Sequence, residues 1–175
     1  FDESWWYRTE FALGNLTDKH VTLNFDGISY RANIWLNGQL VAAQDQVAGS
    51  FRRFEFDATI WAKSGKNVLA VEVFRQRKGD FGLGFVDWNP RPLDENMGIW
   101  RDVTVSVLQT AQLKNTFVRS RVNTQTLDEA WLTVGTEIKN LDSELVSGKL
   151  LFTLDGKTVS KEIQLNASET KEFLL

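Results

Sequence analysis

The chain has 175 residues, a net charge of −3, 42% hydrophobic residues and 25% charged residues. That is the composition of a globular protein, and the length suits one large domain or two ordinary ones. A mildly acidic surface argues against nucleic acid as a partner, and no apolar run approaches the ~20 residues of a membrane-spanning helix. Cysteine is absent, so disulfides, thiol nucleophiles and cysteine-ligated zinc are excluded. The first residue is Phe rather than Met, which reads as a processed product or an excised piece.

In chain order the pattern is that of strands. Trp5, Tyr7, Thr9 and Phe11 alternate with Trp6, Arg8 and Glu10, a period of two. Gly14-Asn15 reads as a turn. Val21, Leu23 and Phe25 form the inward face of a second strand, with His20 on the polar side. Ile28 to Leu36 alternates again and ends at Asn37-Gly38, a hairpin signal because both residues accept positive φ. Leu40 to Ala43 is the returning strand. Phe51 to Asp57 is another strand, with Phe54 and Phe56 inward. Val68 to Phe74 is apolar on both faces and is expected to be central and covered on two sides. Val103, Val105 and Val107 make the strand that closes a first domain.

The pattern restarts near Thr110. Leu113 to Val122, Trp131 to Lys139, Lys149 to Leu154 and Thr158 to Leu165 read as strands, with Asp155-Gly156 as a second hairpin. No segment sustains a helical period. The expectation is an all-β chain: a jelly-roll β-sandwich over residues 1–108, followed over 109–175 by an immunoglobulin-like sandwich too short to be whole. Both ends read as truncated.

Between two strands lies Gly79 to Asp102, which holds both prolines of the chain and two of its seven tryptophans. So long a connection in a β domain is usually functional or disordered, and its aromatic and aliphatic content argues for order. Trp88 can stack on a sugar ring, or it can pack on the sandwich. Asp87, Asn89 and Asp94 can take hydroxyl hydrogen bonds, or they can serve turns. Trp100, beside Ile99 at a strand entrance, reads as core. Asp80, Asp87, Asp94 and Glu95 offer carboxylates, but one loop gives little of the rigid support that glycoside hydrolysis needs. Their spacing fits no calcium loop. His20, the one histidine of the chain, reads as a surface residue rather than a ligand or base, since a metal or a triad would want partners. Arg52-Arg53 and Arg75-Gln76-Arg77-Lys78 read as solvated or domain-contact faces. Gly82-Leu83-Gly84 lacks the helix a phosphate loop requires. The sequons at Asn15 and Asn166 read as chance. No cofactor or metal is expected.

Four motifs carry a resemblance: Trp5-Trp6-Tyr7-Arg8-Thr9-Glu10-Phe11, Ile34-Trp35-Leu36-Asn37-Gly38, Gly65-Lys66-Asn67-Val68-Leu69 and Asn96-Met97-Gly98-Ile99-Trp100-Arg101-Asp102-Val103. In order and spacing they resemble the N-terminal sugar-binding domain of glycoside hydrolase family 2. Val86-Asp87-Trp88-Asn89-Pro90 is most similar to the exo-β-glucosaminidase and endo-β-mannosidase branch. The resemblance implies that a catalytic barrel, absent here, carries both catalytic glutamates, the acid/base after an asparagine. No Asn-Glu dipeptide occurs in the chain, so no catalytic residue is expected in it. It further implies that the long loop lines the terminal sugar subsite of that barrel through Asp87 and Trp88, with Asn89, Asp94 and Asn96 in support. The expected partners are then a β-linked hexose or hexosamine glycan and the barrel itself. The alternatives are a free-standing carbohydrate-binding module and a purely structural sandwich.

Overall fold

A computed structural model describes residues 2–82, 88, 90 and 92–175. The described residues contain fourteen strands and no helix. They divide into two compact units, residues 1–107 and 108–175.

In the first unit the strands are β1 (Trp5–Leu13), β2 (His20–Phe25), β3 (Ile28–Ser29), β4 (Arg31–Leu36), β5 (Gln39–Ala42), β6 (Phe54–Asp57), β7 (Gly65–Phe74), β8 (Gly98–Ile99) and β9 (Val103–Leu108). One sheet has the order β1-β7-β4-β5 and faces a second of order β6-β2-β9; β3 and β8 form a short pair. Alternation places Ala32, Ile34 and Leu36 of β4 and Leu69, Val71 and Val73 of β7 in one core with Val21, Leu23 and Phe25 of β2. Full burial of each large aliphatic side chain is worth ~1.5–3 kcal/mol, so this layer dominates the unit's stability.

β7 is central, flanked by β1 and β4. Only its core face is buried; Ala70, Glu72 and Phe74 on the other face are half-buried, so the expected cover on two sides is half met. Trp6 lies flat against Trp35 there, with ring centroids 5.0 Å apart. Phe51 lies outside β6 and is exposed. His20 is half-buried rather than on the surface.

The expected hairpin turn is present, with φ of 53° at Asn37 and 83° at Gly38. Asn37 also extends the ladder beyond the end of β4. Its backbone N–H donates to Val68 O at 2.8 Å, and its Oδ1 accepts from Val68 N at 2.9 Å. Its Nδ2 donates to Asn67 Oδ1 at 2.8 Å and to Trp61 O at 2.8 Å. Asn67 is fully buried. Its Nδ2 donates to Lys63 O at 2.7 Å and Gly65 O at 3.0 Å, and its Oδ1 also accepts from Lys63 N at 2.9 Å. Two of the sequence motifs thus meet as one amide network.

The second unit contains β10 (Ala111–Val122), β11 (Ala130–Asn140), β12 (Val146–Leu154), β13 (Lys157–Leu165) and β14 (Thr170–Leu174). β10-β11-β14 form one sheet and β12-β13 a hairpin, turning at Asp155-Gly156 with φ of 47° and 73°. Ile138, Leu150, Leu165 and Phe173 make its core. A buried Asn140 plays a part like that of Asn67: its Nδ2 donates to Glu144 O at 2.7 Å and Asn166 O at 2.8 Å.

The Asn67→Ala variant leaves several buried backbone groups without partners. It is expected to lose about 3 kcal/mol of unfolding free energy, since each such orphan costs ~1–3 kcal/mol. Urea denaturation at an unchanged m value checks this; a loss below about 0.5 kcal/mol, the scale of ordinary surface changes, would contradict it.

Candidate functional site

The long connection leaves β7 at Phe74 and rejoins the sandwich at β8, which begins five residues before the Val103 strand that the sequence pattern places next. Its entry is a tight turn in which Asp80 N donates to Arg77 O at 3.0 Å, with Gly79 at a φ of 94°. The Asp80 carboxylate caps the turn by accepting from Arg77 N at 2.7 Å. The same carboxylate takes the fork of Arg31: Nε donates to Oδ2 at 3.3 Å and Nη2 to Oδ1. Arg31 stands opposite Phe74 in the sheet register, at the point where the chain leaves β7. The Arg31 guanidinium holds the Asp80 carboxyl below the usual carboxylate range, against the opposing effect of burial. A general acid needs the reverse, a proton retained near neutral pH. Asp80 is therefore an anchor and not a proton donor.

The exit is held by different means. Asp94 Oδ1 accepts from Asn96 N at 3.0 Å, and Met97 N donates to Asp94 O at 2.9 Å. Glu95 and Asn96 both adopt left-handed backbone, at φ of 54° and 53°. Gly98 follows at φ of 144°, and a Cβ there would lie 2.8 Å from the Tyr7 hydroxyl. Only glycine suits that combination of backbone and contact. Trp100 donates its Nε1–H to Ser50 O at 2.8 Å and seals against Gly27, where a Cβ would lie 2.7 Å from Nε1. The Arg101 guanidinium lies 4.6 Å from its ring centroid. Trp100 remains 43% exposed, so its assignment to the core is corrected: it is a clasp at the strand entrance, drawn outward by its N–H.

The five sequence candidates fare unequally. Asp87 and Asn89 lie outside the described residues. Trp88 is 86% exposed, and Phe81 and Leu93 on the same loop are 95% and 90% exposed. Asp94 and Asn96 make the local turn bonds given above. Arg31, Gln44 and the Arg75–Glu95 contact of 3.8 Å escape sequence reasoning altogether; the cue that could have found the entry turn is Asp80 next to Gly79. Arg52 and Arg53 are spent locally: Arg52 donates to Ala48 O at 3.1 Å, and Arg53 lies 3.6 Å from Asp26.

Two apolar clefts lie on the described surface. One of about 340 Å³ opens between the sheets of the first unit, lined by Tyr7, Phe11, Val71, Ile99 and Val105. Another of about 420 Å³ lies in the second unit beside Val134, Phe152, Leu154 and Leu175. Neither is lined by a carboxylate. Among the described residues no group of acidic or histidine side chains is placed to hold a metal.

Residues 1–78 match the model of the glycosyl hydrolase 2 galactose-binding domain-like family. That segment belongs to the galactose-binding-like β-sandwiches of glycoside hydrolase family 2. The chain is 35% identical over 172 residues to the exo-β-D-glucosaminidase of Amycolatopsis orientalis, covering 98% of this chain and 16% of that protein. It is 38% identical over 162 residues to the exo-β-D-glucosaminidase of Arthroderma benhamiae, covering 89% and 18%. It superposes on the crystal structure of the Amycolatopsis orientalis exo-chitosanase with a TM-score of 0.89 at 34% identity, over 99% of this chain and 20% of that one. The chain thus spans a fifth or less of the length of these glycosidases.

The ionised Asp80 stabilises the fold above the ordinary aspartate pKa, because its folded value is depressed. The stability difference between wild type and Asp80→Asn is expected to be full at neutral pH and to vanish as the pH falls through the depressed value. Urea titrations across that window check it; a difference that persists unchanged in strong acid would contradict it.

Proposed function

We propose that this chain is the non-catalytic N-terminal part of a retaining β-glycosidase that hydrolyses O-glycosidic bonds at terminal β-linked glucosamine. Residues 1–108 are its jelly-roll sugar-binding-type domain, and 109–175 are the beginning of its immunoglobulin-like domain. A catalytic barrel elsewhere in the full-length protein supplies the two carboxylates that retaining hydrolysis needs about 5 Å apart. The loop supplies one wall of the pocket.

The observation that carries this reading is the triplet of exposed apolar side chains at Phe81, Trp88 and Leu93, on a loop whose two ends are firmly held. Exposed apolar side chains on a loop with anchored ends support the reading that another surface or a ligand covers them. The names of the relatives supply the sugar. In this reading Trp88 offers its ring to the apolar face of the pyranose. Asp87 accepts from hydroxyls and from the glucosamine ammonium, with Asn89, Asp94 and Asn96 supporting from either side. A carboxylate beside the ammonium favours the amino sugar over its neutral counterpart through simple charge attraction.

The exposed face of Trp6 on Trp35 favours a second reading, a carbohydrate-binding module that works by itself. Titration of the chain with chitosan oligosaccharides separates the two: binding that Trp6→Ala abolishes and Trp88→Ala spares supports the module.

In the full-length protein, Asp87→Ala and Trp88→Ala are each expected to lower kcat/KM for an aryl β-D-glucosaminide at least ten-fold, about 1.4 kcal/mol, with Tm nearly unchanged. Steady-state kinetics with calorimetry on the same samples checks this. Unchanged kinetics in both variants would remove the loop from the site.

A further inference from the structure

We propose that Asp80, held by Arg31, is a positioning residue for sugar recognition. It fixes the direction in which the loop leaves the sandwich and so sets where the residues that follow meet the substrate. This rests on the reading of the loop as a pocket wall.

The geometry is that of a bracket. Arg31 begins β4 and is paired in the sheet with Phe74 of β7, so its backbone is as fixed as the core. Its side chain is only 21% exposed, and that of Asp80 is 11% exposed. A forked guanidinium–carboxylate contact fixes angle as well as distance, and partial burial spares it most of the screening that weakens surface pairs. The Asp80 carboxylate therefore joins two things at once: the end of a core strand, through Arg31, and the turn that launches the loop, through Arg77 N.

The bracket is braced from the side. Arg77 Nη2 donates to Gln44 Oε1 at 2.6 Å, and Gln44 N donates to Asn33 Oδ1 at 2.9 Å. Asn33 Nδ2 donates in turn to Glu72 Oε2 at 3.0 Å on β7. Immediately after Asp80 the chain passes Gly82. A Cβ there would lie 2.0 Å from Gln76 Oε1 and 3.0 Å from the Tyr30 ring. The path is thus set on both sides of Phe81. The two limbs are also tied across the loop: Arg75 lies 2.9 Å from Asp2 and 3.8 Å from Glu95.

Such a device matters because substrate-aligning groups tolerate little error. A displacement of about 1 Å can cost 10²-fold in rate. Asp80 touches neither substrate nor reacting atoms in this account; it acts through the loop.

The test is a double-mutant cycle in the full-length protein, with Asp80→Ala, Arg31→Ala and the pair combined, assayed on p-nitrophenyl β-D-glucosaminide. Each single variant is expected to lower kcat/KM ten- to hundred-fold. The combined variant should fall no further, because either change breaks the same bracket. Asp80→Glu should recover part of the loss. Hydrogen exchange should quicken at residues 76–82 and stay unchanged in β4 and β7, which a general loss of stability would not produce. Should Asp80→Ala fail to fold, Arg31→Lys keeps the charge without the fork and is expected to lose several-fold in kcat/KM; no loss there overturns the proposal. If Asp80→Ala and Arg31→Ala keep wild-type kinetics while Asp87→Ala or Trp88→Ala is impaired, the bracket is wrong and the pocket-wall reading stands. If wild type is active and no loop variant alters its kinetics, both fall together.

Discussion

A side-chain amide buried without water must find all its partners within the protein, and Asn67 does. Its two N–H groups and its carbonyl oxygen are all used, on the Lys63 and Gly65 backbone and on Asn37. An unmade bond there would cost nearly the full desolvation penalty. The turn into β7, the end of β4 and the approach from Trp61 are consequently locked in one arrangement. β7 starts at that lock and runs the depth of the sandwich, and the long loop springs from its far end. The register that Asn37 and Asn67 impose is therefore the register with which Arg31 faces Phe74 and meets Asp80.

The loop is built on contrasts. Its ends are held by a charged fork at Asp80, by a glycine that only Tyr7 and a left-handed backbone explain at Gly98, and by the Trp100 clasp on Gly27 and Ser50. Between them it displays Phe81, Trp88 and Leu93 to solvent. A loop that only connected strands would gain by turning such side chains inward, at ~25 cal/mol per Å² of apolar surface. Rigid roots with apolar display are what a wall of a binding pocket requires.

Much of the sandwich was legible in the sequence because its signals are local. Alternation at Ala32, Ile34 and Leu36 and the Asn37-Gly38 turn are matters of adjacent residues and their preferred backbone angles. The loop stood out by length and composition. What escaped was long-range or depended on polar detail. Arg31 and Asp80 are separated by 49 positions, and nothing in either neighbourhood names the other. Trp100 looked like core because it is large and follows Ile99, yet its N–H needs an acceptor, and Ser50 O provides one near the surface. Phe51 looked like strand because of its neighbours Phe54 and Phe56, but it lies exposed with its ring edge-on to Trp100, centroids 5.6 Å apart. For Asp94 and Asn96 the plain turn chemistry is visible, and any role toward sugar comes in addition to it.

On the proposed reading, labour is divided, with recognition carried in this chain and bond cleavage elsewhere. The most direct test assays the pure 175-residue chain and the full-length protein side by side against aryl β-D-glucosaminide, mannoside, galactoside and glucuronide. The account predicts turnover of the glucosaminide by the full-length protein and none of any substrate by the chain alone. Turnover by the chain alone, or a full-length protein inert toward all four, would contradict it.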